Sequence, residues 1–213
     1  MKSLKSTYRR NLTLFAALNI SVFLAFLFSP MDFNSWKALY DSITLKDGLF
    51  LSLSPIATLV LSGLFSATTK ASLVYWRYKY PLPGSQAFSV YMATDHRIDP
   101  KILEKKWGPL PTNPEDQNRV WYRIYKHVES DIRVQDSHRD WLFSRDLTSY
   151  SVLFLVVFVP SVIGSDANWR PTLIYAIIIV IQYITILIAA RTYGKRFVCN
   201  ILAIESQSDQ TFY

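Results

Sequence analysis

The sequence predicts an all-α membrane protein of four transmembrane helices, with a small, mostly helical cytoplasmic module between the second and third. Three observations carry this reading. Four windows, 11–29, 48–69, 147–164 and 171–190, hold no Asp, Glu, Lys, Arg or His. A bilayer core about 30 Å thick takes about 20 residues of helix, and backbone groups in lipid must bond within their own segment, which makes each window a helix. Lys and Arg gather in three flanks that a four-span path places on one side. Many of the Tyr, Phe and Trp residues stand near the window ends, where amphipathic rings favour the headgroup level.

The first window, Asn11–Ser29, follows Lys2, Lys5, Arg9 and Arg10. It is long for the apolar region of a signal peptide, and Phe28-Ser29-Pro30 is a poor cleavage site, so the reading keeps it as a span. Residues 30–47 carry Phe33, Trp36, Leu39 and Tyr40 at helical spacing and suit a short interfacial helix. The second window, Gly48–Thr69, is followed by Lys70, Arg77 and Lys79, and its helix is expected to run on to Lys79 before the Tyr80-Pro81-Leu82-Pro83 stop. The turn SDANWR joins the third and fourth windows, and Arg191, Lys195 and Arg196 follow the fourth. The basic flanks put both termini and the 70–146 segment in the cytoplasm. The implied organisation is 1–69 (tail and first two spans), 70–146 (module), 147–190 (last two spans) and 191–213 (cytoplasmic tail).

The net charge is +7, and the module holds thirteen Lys/Arg against ten Asp/Glu, with all three histidines. Within it, Pro100–Trp107 reads as a short helix and Gln86–Met92 as a strand or irregular piece. Asn113-Pro114-Glu115-Asp116 is a helix start: an Asn cap, Pro in the first turn and acids at the positive end of the dipole. No Gly or Pro then intervenes before Pro160, so one amphipathic helix is expected to run from Pro114 into the third span, with a bend near Ser137. Packing against the terminal tails, or against other copies, is expected to stabilise so small a module.

No Walker loop, His-Glu-x-x-His, EF-hand or nucleophile elbow is present, and the single cysteine, Cys199, can build neither a disulfide nor a thiolate zinc site. No cofactor, metal or catalytic residue is therefore assigned, and the protein reads as a non-enzyme. Cys199 itself reads as a small packed residue or as a juxtamembrane acylation site. The absence of ionisable residues from the windows counts against a proton- or ion-coupled transporter. In the second window Ser54, Thr58, Ser62 and Ser66 recur every four residues, a stripe that serves either close helix packing or a pore lining. Asn19, Gln182 and Thr185 are polar groups at membrane depth, where such groups usually bond across helices. His96, Arg97, Arg119, Trp121 and Arg123 are the candidate ligand or partner contacts, since cations beside aromatic rings can hold phosphate or a nucleotide. Against this stands the ordinary reading of helix charges as a solvated face. Lys70, Arg77, Lys79, Arg191, Lys195 and Arg196 are expected at lipid headgroups.

The layout of charge-free spans, a central cytoplasmic module and the Ser54/Thr58/Ser62/Ser66 stripe resembles small four-helix inner-membrane proteins of bacterial anti-phage defence systems, such as the Kiwa-type membrane subunit and four-helix pore-forming effectors. The resemblance is one of architecture and carries no site residue with it. It implies an antiviral membrane sensor or effector that assembles as a homo-oligomer in the bacterial inner membrane. A scaffold that recruits or restrains a cytoplasmic enzyme is the second reading. A lipid-acting enzyme using His96 or His138 is the third. Lipids, further copies and a cytoplasmic protein are the expected partners, and nothing points to nucleic acid.

Overall fold

The structure is a computed structural model that describes residues 4–28, 60, 63–163 and 169–207. Among them there is no strand. The α-helices are α1 (Leu4–Phe28), α2 (Ala67–Tyr75), α3 (Pro100–Trp107), α4 (Pro114–Val128), α5 (Ile132–Ile163) and α6 (Trp169–Gln207). Two helices among the described residues, those carrying Ile132–Ser161 and Leu173–Gln207, are long and apolar enough to cross a membrane. The first window lies on α1. Most of the second, with Ser54, Thr58 and Ser62, lies outside the described residues, as does the segment 30–47.

The chain divides into two compact units, Met1–Ser66 with Asp146–Leu187, and Ala67–Arg145 with Ile188–Tyr213. In the first, α1, the second half of α5 and the first half of α6 pack together. Tyr175 and Ile179 are buried against Val22, Phe23, Leu155, Phe158 and Val159. Phe23 stacks on Phe158 at 4.1 Å, and Phe158 on Phe154 at 4.9 Å. The remaining face of α6 shows Ile177, Ile181 and Ile184 outward. A helix apolar on its exposed face suits lipid rather than water. Asn19 and Gln182 meet in this unit: Gln182 Nε2 donates to Asn19 Oδ1 at 3.0 Å, while Asn19 Nδ2 donates to the Phe15 carbonyl. Thr185 instead donates to Ile181 O within its own helix. Gln182→Leu should cost about 1 kcal/mol by leaving Asn19 Oδ1 unpaired. A double-mutant cycle with Asn19→Leu, read by thermal unfolding in detergent, checks the coupling, and additive losses would dissolve the pair.

The second unit departs from the sequence reading in four places. Helix α2 stops at Tyr75, four residues short of Lys79, and Trp76 and Tyr80 take positive φ of 53° and 52°. The Gln86–Met92 piece is no strand: Pro83–Gln86 and Met92–Thr94 are 3₁₀ turns around a π turn, Ala87–Tyr91. Fully buried Gln117 supports it, its Oε1 accepting from the Phe88 and Ser89 backbone N–H groups at 3.0 and 3.1 Å and its Nε2 donating to Thr112 O at 2.7 Å. The helix begun at Pro114 breaks at 129–131, not near Ser137. There Asp131 Oδ1 accepts the Arg133 N–H at 2.8 Å and caps a new helix. Lastly, α6 runs unbroken to Gln207 and buries Phe197, Val198, Ile201 and Leu202. The C-terminal segment thus packs on the module, as expected, but as the continuation of one helix rather than as a separate tail.

The helix starts follow their cap signals. Asp99 Oδ1 accepts from Lys101 N and Ile102 N at the head of α3, and Asn113 Oδ1 from Glu115 N at the head of α4. Two glycines allow close approach. A Cβ on Gly84 would overlap Trp121, and one on Gly194 would overlap the Tyr75 hydroxyl.

Candidate ligand cleft

The second unit contains a cleft of about 440 Å³, lined by Arg97, Arg133, Asp136, Ser137, Asp140, Arg196, Asn200, Ala203, Ile204 and Gln207. Helix geometry explains the set. Arg133, Asp136, Ser137 and Asp140 stand at i, i+3, i+4 and i+7 on the first turns of α5. Arg196, Asn200, Ala203, Ile204 and Gln207 hold one face of the end of α6. Arg97 joins them from the turn before α3.

Two of the arginines are held in the same way. In Asp95-His96-Arg97, Asp95 Oδ1 accepts from Arg97 N at 3.1 Å and Nε at 3.0 Å, and Oδ2 accepts from a terminal guanidinium nitrogen at 2.7 Å. In Asp131-Ile132-Arg133 the matching distances are 2.8, 3.1 and 2.8 Å. These forks hold the Asp95 and Asp131 carboxyls below the usual carboxylate range, chiefly through the arginine hydrogen bonds. Arg97 also donates to Asn200 Oδ1 at 3.1 Å, and Gln207 Nε2 donates to Arg97 O at 3.3 Å. Both acids of the lining are served by one residue, Arg139, at 2.9 Å from Asp136 and 3.4 Å from Asp140. Ser137 is buried and donates to Val134 O.

Of the ligand candidates read from sequence, the cleft takes only Arg97. His96 is exposed in the same turn but does not line it. Arg119 sits exposed on α4 and pairs with Asp116 at 3.1 Å and Glu115 at 3.6 Å. Arg123 is exposed. Trp121 is buried under Gly84, against Tyr125 and Phe197 at 6.1 and 5.4 Å, and is a core ring rather than a stacking platform. His138 likewise lies flat on Phe197 at 4.6 Å, with Tyr125 Oη 3.2 Å from its Nδ1.

The headgroup candidates divide as well. Lys70 is buried, which takes it away from a headgroup-facing surface. Arg191 clasps the module itself: its Nε donates to Val74 O at 2.8 Å and its guanidinium lies 4.9 Å from the centre of the Trp76 ring. Arg77, Lys79, Lys195 and Arg196 are exposed, with Arg196 at the cleft. Ser66 is exposed. Cys199 is buried with its Sγ 3.7 Å from Tyr91 O, as a packed residue.

Sequence reasoning passed over Arg133, Asp136, Asn200 and Gln207, and set Asp140 aside with Ser137-His138-Arg139 as a solvated helix face. The signals were the repeated Asp-x-Arg and the one-face spacing on α5, both of which an exposed charged helix also produces. No family model, curated protein or solved structure matches the chain.

Proposed function

We propose that the protein is a non-enzymatic membrane sensor or effector of bacterial anti-phage defence. It forms a homo-oligomer in the inner membrane, with four spans and both termini cytoplasmic. The 70–146 module, with the end of α6, receives a signal or partner and changes the packing or permeability of the spans. The observation that carries the proposal is that α5 and α6 are single helices with two characters. Each has a stretch apolar enough to cross a membrane, and each lends its polar end to the cleft. A ligand bound there touches the helices that cross, so it favours whichever arrangement binds it better.

Two measurements test this. Native mass spectrometry of the detergent-solubilised protein should give a multimer. Expression in a bacterial host, alone and with the proteins encoded beside it, should lower membrane potential as read by a potential-sensitive dye. A monomer that leaves the potential unchanged in every combination overturns the proposal. The scaffold reading draws on the 95% exposure of Tyr78, between exposed Trp76 and Tyr80. It requires stable co-purification of a soluble protein with no change in potential.

A further inference from the structure

Charge in the cleft is arranged unevenly. Each Asp-x-Arg fork occupies Nε and one terminal nitrogen of its guanidinium, leaving the other terminal nitrogen of Arg133 and of Arg97 outside the fork. Both arginines line the same cleft. Arg196, on the facing helix, makes no ion pair among the described residues. Asp136 and Asp140 are already covered by Arg139. An entering anion therefore meets three guanidiniums, two of them held in place beforehand by Asp95 and Asp131, and two carboxylates that share Arg139. The four arginines and four aspartates balance in charge, so what the cleft offers an anion is Arg196 and the donor edges that the forks leave open. Arginines fixed by carboxylates lose little rotamer freedom on binding, and a planar donor fork matches the oxygens of a phosphoryl group.

The rest of the lining says what the phosphoryl is attached to. Asp136, Asp140 and Asn200 offer oxygens that accept from hydroxyl groups, and Gln207 offers a second amide. The apolar lining is Ala203 and Ile204, and none of the ten residues is aromatic. A nucleobase would find no ring to stack on. The volume lies within the range of small-molecule sites, about 300–1,000 Å³, and far exceeds one phosphate ion. We propose that the cleft binds a phosphorylated polyol, with the phosphoryl on Arg97, Arg133 and Arg196 and the hydroxyls on Asp136 and Asp140. This deepens the sensor reading by naming the class of its signal, which could arrive as a soluble sugar or glycerol phosphate or as the headgroup of a polyol phospholipid.

The test uses the full chain in phosphatidylcholine nanodiscs, titrated by calorimetry with glycerol 3-phosphate, inorganic phosphate and glycerol. Glycerol 3-phosphate should bind, inorganic phosphate more weakly and glycerol not at all. Arg133→Gln and Arg196→Gln should each weaken glycerol 3-phosphate about tenfold or more, with Arg196→Lys between them and the native protein. Both positions are exposed, and thermal unfolding checks that the variants fold. Asp140→Ala should weaken glycerol 3-phosphate without weakening inorganic phosphate. Nanodiscs containing phosphatidylglycerol separate the sources. A lipid headgroup in the cleft abolishes the glycerol 3-phosphate signal in an Arg196-dependent way, whereas a soluble ligand binds equally in both lipids. The proposal falls if glycerol 3-phosphate shows no binding at millimolar concentration in phosphatidylcholine and phosphatidylglycerol is not retained through Arg196. It falls equally if the arginine variants bind as the native protein does. Binding is read without any permeability assay, so either proposal can fail alone.

Discussion

Glu205→Ala is expected to lower the stability of the detergent-solubilised protein by about 3 kcal/mol. Glu205 is 1% exposed near the end of α6, and its carboxylate gathers groups from two other helices. Oε1 accepts from Trp107 Nε1 at 3.1 Å and lies 3.8 Å from Lys106 Nζ, while Oε2 stands 2.7 Å from His127 Nδ1. Lys106 Nζ also donates to the Glu205 carbonyl at 3.0 Å. Removing one carboxylate strands an indole N–H and takes the counter-charge from a mostly buried ammonium, which keeps its bond to the residue 205 carbonyl. His127, with its side chain 62% exposed, recovers water and adds little, which keeps the loss at the lower end for a buried pair. Glu205→Gln keeps an acceptor for Trp107 and should lose less. Urea unfolding followed by tryptophan fluorescence gives both values. A loss under about 0.5 kcal/mol for the alanine variant would mean that the cluster does not fasten α3 and α4 to α6.

Gly194→Ala should destabilise by about 2 kcal/mol, against the usual direction for this change in a helix, where alanine gains up to about 1 kcal/mol. The reason is contact. A Cβ at Gly194 would overlap the Tyr75 hydroxyl and lie 3.1 Å from Trp141 Cε3. The Tyr75 ring lies tilted beside Trp141, 5.7 Å between centroids, and burial pushes its hydroxyl well above the usual tyrosine range. Tyr75, Trp141 and Gly194 come from α2, α5 and α6, so an added methyl pushes on the junction of three helices. Deleting the obstructing atom should therefore rescue the variant: Tyr75→Phe with Gly194→Ala should recover at least half of the loss. A strictly additive double mutant would show that the two residues do not touch.

Much of the fold was legible in local signals. Asp99-Pro100 and Asn113-Pro114-Glu115-Asp116 started α3 and α4 where capping requires, because a cap is settled within three or four residues. The charge-free windows marked the apolar stretches of α1, α5 and α6 for a similar reason: transfer to lipid is nearly a sum over neighbours along the chain. The break at 129–131 was harder to read. It uses neither Gly nor Pro, only the competition of Asp131 for backbone N–H groups, and many mid-helix aspartates do not win that competition.

The candidate site was legible only in part. Arg97 was found for its charge and Arg196 was read as a headgroup contact, while Arg133 and Asp136 looked like any solvated helix face. Trp121 and Lys70 looked like surface contacts and are buried. By itself the sequence determined that the chain is helical, where its apolar stretches lie and where α3 and α4 begin, since each depends on short-range periodicity, hydration and capping. The tertiary structure alone decided that 191–207 continues α6 as one helix, that Gly84 and Gly194 are contact points, and that three arginines from separate segments face one cleft. Burial and the convergence of charges depend on which surfaces meet, and residues as distant as Arg97 and Arg196 carry no local mark of their meeting.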